Sequence, residues 1–169
     1  MKILYLRGLD GHLSEDKRMV MERYGDVIGP TIDYRSSADT IQSLIEFYEQ
    51  ERVDVVIGNN MGGLAAYYVS LAYNTPCLIF NPALPYTSIP QHVPGIKGQR
   101  NKLLQVVLGR QDETIRYIHT LSFLEKHISA AENCSVHIHN TLPHRIGIDV
   151  FKLEVDSFFS VESSVLATT

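Results

Sequence analysis

The chain has 169 residues, 44% of them hydrophobic and 20% charged, and its formal net charge is −4. This length and composition predict one globular domain with a sizeable apolar core. The mixed, slightly acidic charge argues against nucleic acid as a partner, and no apolar run approaches the roughly 20 residues that a membrane span needs.

Strand and helix patterns alternate along the chain. Apolar runs predict strands at 2–6, 27–34, 53–58, 76–82, 102–109 and 134–140, the second of them weakened by Gly29 and Pro30. Helical spacing of apolar residues predicts helices at 37–51, with Ser37 as a candidate N-cap, and at 62–73, 115–128 and 148–158. Strands that are apolar throughout need both faces covered. We therefore predict an α/β fold, with a mostly parallel sheet and helices on both faces.

The chain shows no internal repeat, and we expect a single domain over 1–160 followed by a polar C-terminal tail at 161–169. One stretch, 83–100, lacks periodicity and holds several prolines and glycines. A loop of that length in a compact domain is usually functional, often as a lid or pocket wall.

The stretch VDVVIGNNMGGLAAYY, 53–68, predicts a strand, a sharp turn and a helix, with Asn60 displayed at the tip of the turn. In a doubly wound sheet, sites form beyond the carboxyl ends of the strands. The residues that follow the other strands are therefore also candidates: Arg7, Gly8 and Leu9, then Asn81 and Pro82, then Asp112, then His144.

These segments resemble the small, capless bacterial esterases of the YqiA type, in the α/β-hydrolase superfamily. The resemblance rests on ILYLRGLD, IDYRS, VDVVIGNNMGG, FNPALPY, LGRQDETI and PHRIGID, which occur in that order over most of the chain. It implies a minimal α/β-hydrolase without a separate cap domain. It also implies hydrolysis of carboxylic esters by a serine, an aspartate and a histidine, with no cofactor and no metal.

Carried over residue by residue, the resemblance makes His144 the general base and Asp112 the acid that orients it, with Glu113 as a weaker candidate. The backbone N–H groups of Met61 and Leu9 would form the oxyanion hole. Arg7, Gly8, Pro82 and Tyr86 are expected to line the pocket. The alternatives to these roles are a helix cap for Asp112 and a surface loop position for His144.

Two positions depart from the family pattern. Arg7 replaces a histidine, either as a solvated charge or as a guanidinium at the pocket mouth. Asn60 replaces the nucleophilic serine, and an amide offers no hydroxyl that His144 could deprotonate. Asn nevertheless tolerates the positive φ that such a turn requires. We expect the shape of the turn to survive without its chemistry.

Three functions remain open on the sequence alone. The chain could bind an acyl or ester ligand with little hydrolysis. It could hydrolyse esters through water activated by His144, or through Asn60 after conversion to aspartate. It could also be a non-enzymatic interaction protein. Deliberate replacement of a catalytic serine would give the same sequence.

The remaining expectations concern metals, location and assembly. His137 and His139 share a strand face, but no further ligand at matching spacing suggests a metal site. Cys77 and Cys134 lie in apolar runs, which indicates buried free thiols and a cytoplasmic location. We expect a small-molecule acyl or ester ligand as partner, neither nucleic acid nor membrane, and a homo-oligomer remains open.

Overall fold

The computed structural model describes residues 1–85, 89–95 and 100–166. In these ranges it has six strands and five helices. The strands are β1 Lys2–Leu6, β2 Asp26–Ile28, β3 Val55–Asn59, β4 Cys77–Phe80, β5 Leu104–Gln111 and β6 Cys134–Pro143. The helices are α1 Glu15–Glu22, α2 Thr40–Glu51, α3 Met61–Tyr73, α4 Tyr117–His127 and α5 Ile148–Leu166.

All six strands form one parallel sheet in the order β2-β1-β3-β4-β5-β6. Because the strands are parallel, the turns after β1, β3, β4, β5 and β6 all lie along the same edge of the sheet. The predicted α/β architecture is confirmed, and the described residues contain no separate cap domain.

Alternate residues of each strand contribute to two separate cores. Leu4 and Leu6 of β1 join one apolar cluster with α2, α3 and α4, whereas Ile3 and Tyr5 join another with α1 and α5. Successive side chains of a strand point to opposite faces, so both faces of an all-apolar strand are buried. This two-sided burial explains why the strands were recognisable as continuous apolar runs.

Three local predictions need correction. Helix α1 was not predicted, because it has few apolar positions. Two signals mark its start: the Ser14 hydroxyl accepts a hydrogen bond from the Lys17 N–H, and the acidic residues Glu15 and Asp16 follow it. Helix α2 begins after Asp39, and the hydroxyl of Ser37 instead accepts a hydrogen bond from the Asp39 N–H. The second strand ends at Ile28, just before Gly29 and Pro30.

The predicted polar tail is also partly helical, since α5 continues to Leu166. The hydroxyls of Ser163 and Ser164 donate to the carbonyls of Phe159 and Ser160, one turn earlier. Serine hydroxyls bonded to the preceding turn are compatible with helix. No helix in the described part of the chain has the length and apolar character that crossing a membrane requires.

Both cysteines are free thiols, with Cys77 buried and Cys134 partly buried. Burial raises the pKa of each thiol to about 11, because it disfavours the charged thiolate. A thiol that stays protonated is a poor nucleophile. The two side chains therefore act as small apolar residues of the interior.

The pairing register between β5 and β6 shifts near the carboxyl ends of the two strands. Gly109 pairs with His139, but the next pair is Gln111 with Pro143, so β6 contains extra residues over this interval. A bulge of this kind bends a strand and re-aims the residues that follow it. Here it precedes His144 directly.

The turn between β3 and α3 brings backbone segments unusually close. A Cβ atom added to Gly62 would lie 1.9 Å from the Leu6 carbonyl oxygen, and one added to Gly58 would lie 2.2 Å from the Gly62 carbonyl oxygen. Both distances are far inside van der Waals contact. Glycine at these two positions allows α3 to pack directly against the ends of β1 and β3.

We predict that Gly62→Ala lowers the free energy of unfolding by about 2–3 kcal/mol, because the new methyl group forces the backbone of β1 and α3 apart. Urea unfolding followed by circular dichroism measures the change. Gly95→Ala is the matched control, since a Cβ there meets no atom of the described residues within 4 Å. We expect that control to change stability by less than about 0.5 kcal/mol. Equal stability of the two variants would contradict the close packing.

Candidate active site

Asn60 lies at the tip of the turn between β3 and α3, with φ 53° and ψ −119°. Its backbone is tied down on both sides: its N–H donates to the Phe80 carbonyl, and its carbonyl accepts from the N–H groups of Leu64 and Ala83. The positive φ expected of this residue is therefore observed. A strained conformation of this kind persists only where surrounding contacts enforce it, and it projects the side chain away from the sheet.

The Asn60 side chain meets His144, which follows β6. Asn60 Nδ2 lies 2.7 Å from His144 Nε2, while His144 Nδ1 lies 3.0 and 2.9 Å from the two carboxylate oxygens of Asp112. A carboxylate can only accept, so His144 donates from Nδ1. The Nε2 of the neutral ring then accepts from the Asn60 amide. The three side chains thus form one continuous hydrogen-bonded chain.

Asp112 has two kinds of partner. Its side chain is fully buried, and Oδ1 also accepts from the N–H groups of Thr114 and Ile115, both at 2.8 Å. The acidic residue that contacts the imidazole is Asp112, while Glu113 is exposed. Asp112 is not the N-cap of α4, which begins at Tyr117. It caps the turn before that helix and holds His144 at the same time.

Asn81 fixes the backbone that carries His144. It is buried, and Nδ2 donates to the carbonyls of Pro143 at 3.0 Å and His144 at 3.4 Å. Oδ1 accepts from the Gly109 N–H at 2.7 Å. One side chain therefore links the ends of β4, β5 and β6. The sequence marked it only as a residue after a strand, without a role.

The loop after β1 is held by two side chains whose roles the sequence did not indicate. Asn59 Oδ1 accepts from the Gly8 N–H and from the Tyr5 hydroxyl, both at 3.1 Å. The Arg7 guanidinium donates to the carbonyls of Gly8, Leu9, Gly11 and Ile32. Arg7 is thus neither a solvated charge nor a pocket cation: it stabilises the loop through its backbone carbonyls.

An open cavity of about 610 Å³ lies beside Asn60 and His144. Its walls come from the loop after β1, the start of α1, the turn at Asn60 and the loop after β6; they are Tyr5, Gly8, Leu9, Asp10, Gly11, His12, Ser14, Lys17, Asn59, Asn60, Met61, Thr114, His144, Arg145 and Ile146. Its size suits a small organic molecule.

Only some of the residues predicted for the pocket and the oxyanion hole line this cavity. Gly8 lies on the cavity wall, and so do Leu9 and Met61, the residues predicted for the oxyanion hole. Arg7 is absent from its walls, and Pro82 instead packs its backbone against Gly63. Tyr86 lies outside the described residues. The Gly8 N–H is engaged by Asn59, which leaves the N–H groups of Leu9 and Met61 as the candidate oxyanion donors.

His137 and His139 do not line this cavity, and both contact the carboxylate of Glu154. His137 Nδ1 and His139 Nε2 lie 2.6 and 2.5 Å from the two carboxylate oxygens of Glu154, whose side chain is buried. Gln105 Nε2 donates to the same carboxylate at 2.7 Å. In the described part of the chain, no group of three or more His, Cys, Asp or Glu side chains has the arrangement of a metal site. The cluster joins α5 to the edge strand β6.

Residues 2–93 match the model of the uncharacterised protein family UPF0227, which is the family of the YqiA-like esterases. The chain belongs to UPF0227. This match confirms the resemblance predicted from the sequence. It includes the turn at Asn60 and the loop at Gly8, but it ends before Asp112 and His144. A search of curated proteins found no match to this UPF0227 member.

Solved structures extend the likeness to the whole fold. The ferulic-acid-bound Est1E from Butyrivibrio proteoclasticus has a TM-score of 0.73 at 12% identity, covering 96% of this chain and 89% of that one. Mouse alpha/beta hydrolase domain-containing protein 10 has a TM-score of 0.73 at 10% identity, covering 97% and 90%. Arabidopsis thaliana SOBER1 has a TM-score of 0.68 at 15% identity, covering 94% and 99%. At these identities the likeness shows the α/β-hydrolase fold alone.

The two kinds of partner on Asp112 generate a stability prediction. Asp112→Ala leaves the N–H groups of Thr114 and Ile115 without their acceptor, the second of them buried, and we expect it to lower the free energy of unfolding by about 2 kcal/mol. Asp112→Asn keeps an acceptor oxygen of the same size, so its expected loss is about 1 kcal/mol. Urea unfolding compares the two variants. Equal losses would mean that the capping contacts contribute nothing.

Proposed function

We propose that this chain is an esterase-like protein that binds acyl or ester small molecules and carries out little or no serine-type hydrolysis. The observation that carries the proposal is the hydrogen bond between the Asn60 amide and His144 Nε2. In a working triad this bond would come from the nucleophile's own hydroxyl, whose proton passes to the base as oxygen attacks.

An amide at this position fails as a nucleophile for two reasons. The lone pair of its nitrogen is delocalised into the carbonyl, and it has no hydroxyl proton for His144 to remove. Its N–H also occupies the Nε2 lone pair on which general-base catalysis depends. The base is therefore oriented and partnered, but its partner cannot react.

Binding requires less than attack, and the parts that serve binding are intact around Asn60. The N–H of Met61 opens α3, where unpaired N–H groups and the helix dipole favour a negative or carbonyl oxygen. Leu9 lies on the same cavity, and the loop that carries it is fixed by Arg7 and Asn59. A carbonyl beside Asn60 would meet these donors.

The same geometry weighs against the other two candidate functions. Activation of a water by His144 needs a free Nε2 lone pair, and the Asn60 amide already uses it. A purely structural role gives no reason for an open cavity of about 610 Å³ next to an oriented imidazole. These observations favour a ligand-binding site over both.

We predict that Asn60→Ser raises hydrolysis of short-chain p-nitrophenyl esters on the order of a few hundredfold or more over the unaltered chain. The reason is that the hydroxyl restores a transferable proton between position 60 and His144 while the turn stays in place. The measurement is kcat/KM from release of p-nitrophenol. The unaltered chain should run near background.

Two variants make the result specific. Asn60→Ala also removes the amide but adds no hydroxyl, so it should stay near background. The double variant Asn60→Ser with His144→Ala should lose the gain. Fast hydrolysis by the unaltered chain would overturn the proposal, and its dependence on His144 would then identify the water route. A mass measurement of the peptide containing Asn60 tests conversion to aspartate.

A further inference from the structure

The cavity beside Asn60 is not electrostatically neutral. Three of its wall residues carry basic side chains: His12 in the loop before α1, Lys17 in the first turns of α1, and Arg145 directly after His144. An acyl or ester group alone has no need of basic side chains. Their placement on one cavity indicates a second recognition element in the ligand.

Lys17 is the most informative of the three, because it is partly buried and has no anionic partner among the described residues. Its ammonium lies 5.2 Å from the centroid of the Phe151 ring, and among described residues it forms no salt bridge. The undescribed positions contain no Asp or Glu. Burial lowers the pKa of Lys17, since the charged form loses hydration that no carboxylate replaces. An incoming anion would supply that missing partner.

The acidic residues nearby do not cancel this charge. Asp10 lies on the cavity wall, but its two oxygens accept from the Arg35 guanidinium at 2.7 and 3.0 Å, which lowers the pKa of Asp10. Asp112 is occupied by His144. Glu15 and Asp16 in the first turn of α1 are exposed to solvent, where their charges are screened.

We propose that the cavity is selective for esters that carry an anionic group, a carboxylate or a phosphate, and that Lys17 pairs with this group while Arg145 and His12 lie at the rim. The proposal rests on the proposed function for the ester half of the ligand and adds the class of its other half. The carbonyl would lie at Asn60 and Met61, and the anion at the α1 wall.

The test uses the unaltered chain, which we expect not to hydrolyse ester probes, and three matched probes. These are 4-acetoxybenzoate, 4-acetoxyphenyl phosphate and the neutral methyl 4-acetoxybenzoate, with binding measured by isothermal titration calorimetry. We expect the anionic probes to bind about tenfold more tightly than the neutral ester, the effect of one charged hydrogen bond. The better of the two anionic probes identifies the group.

Substitutions at Lys17 assign the selectivity. Lys17→Met keeps the apolar stem and should weaken the anionic probes about tenfold, while the neutral ester changes less than about twofold. Lys17→Arg should retain the preference. Lys126→Met removes the same charge from an exposed position on α4 and is the control; it should change nothing. Urea unfolding verifies that each variant is folded, and Arg145→Met gives a second measurement at the rim.

The outcomes separate this inference from the function on which it rests. Equal binding of the three probes, or equal weakening of all of them by Lys17→Met, would overturn the inference even if Asn60→Ser becomes an active esterase. Selective anion binding that is lost in Lys17→Met would support the inference even if Asn60→Ser hydrolyses nothing. In that case the proposed relation to ester hydrolysis would be wrong.

Discussion

The hydrogen bond between the Asn60 amide and His144 Nε2 is the contact on which the site depends. It closes a chain that begins at the buried carboxylate of Asp112 and passes through both nitrogens of one ring. Further hydrogen bonds hold two of these residues in position. The Asn60 backbone is bonded to the backbones of Phe80 and Ala83, and the Asn81 side chain holds the backbone that carries His144. The imidazole is therefore oriented as a base, but toward a group that has no proton to give in catalysis.

At this turn, the backbone conformation and the capacity for nucleophilic attack depend on different features of the residue at position 60. The shape comes from a positive φ, which asparagine accepts at low cost, and from glycines that let α3 approach β1 and β3. The chemistry needs one atom, a hydroxyl oxygen. A replacement that satisfies the backbone but lacks that atom leaves the donors, the cavity and the base in place. This separation is why binding without turnover is the function we propose.

The electrostatics of the cavity follow from elements far apart in the chain. Lys17 comes from α1 and Arg145 from the loop that carries His144, so two segments far apart in the sequence give the cavity a positive wall and rim. The acids that could have neutralised this wall are engaged with Arg35 and His144. We therefore propose a ligand with two ends, a neutral carbonyl held at the turn and an anionic group held at the positive wall.

The sequence by itself determined that six strands and four of the five helices exist, that the sheet is mostly parallel, and that a tight turn lies at Asn60. Each of these features depends on local signals: apolar periodicity, glycines at close approaches, and tolerance of positive φ. With the family resemblance it also indicated Asp112 and His144. Only the tertiary structure decided that Arg7 binds loop carbonyls, that Asn81 holds the His144 backbone, that Glu154 joins His137 and His139, and that Lys17 faces the cavity. Apart from the bonds of Arg7 to Gly8, Leu9 and Gly11, these contacts join segments separated in the chain, and they depend on loop paths and on the register shift between β5 and β6, which no local pattern encodes.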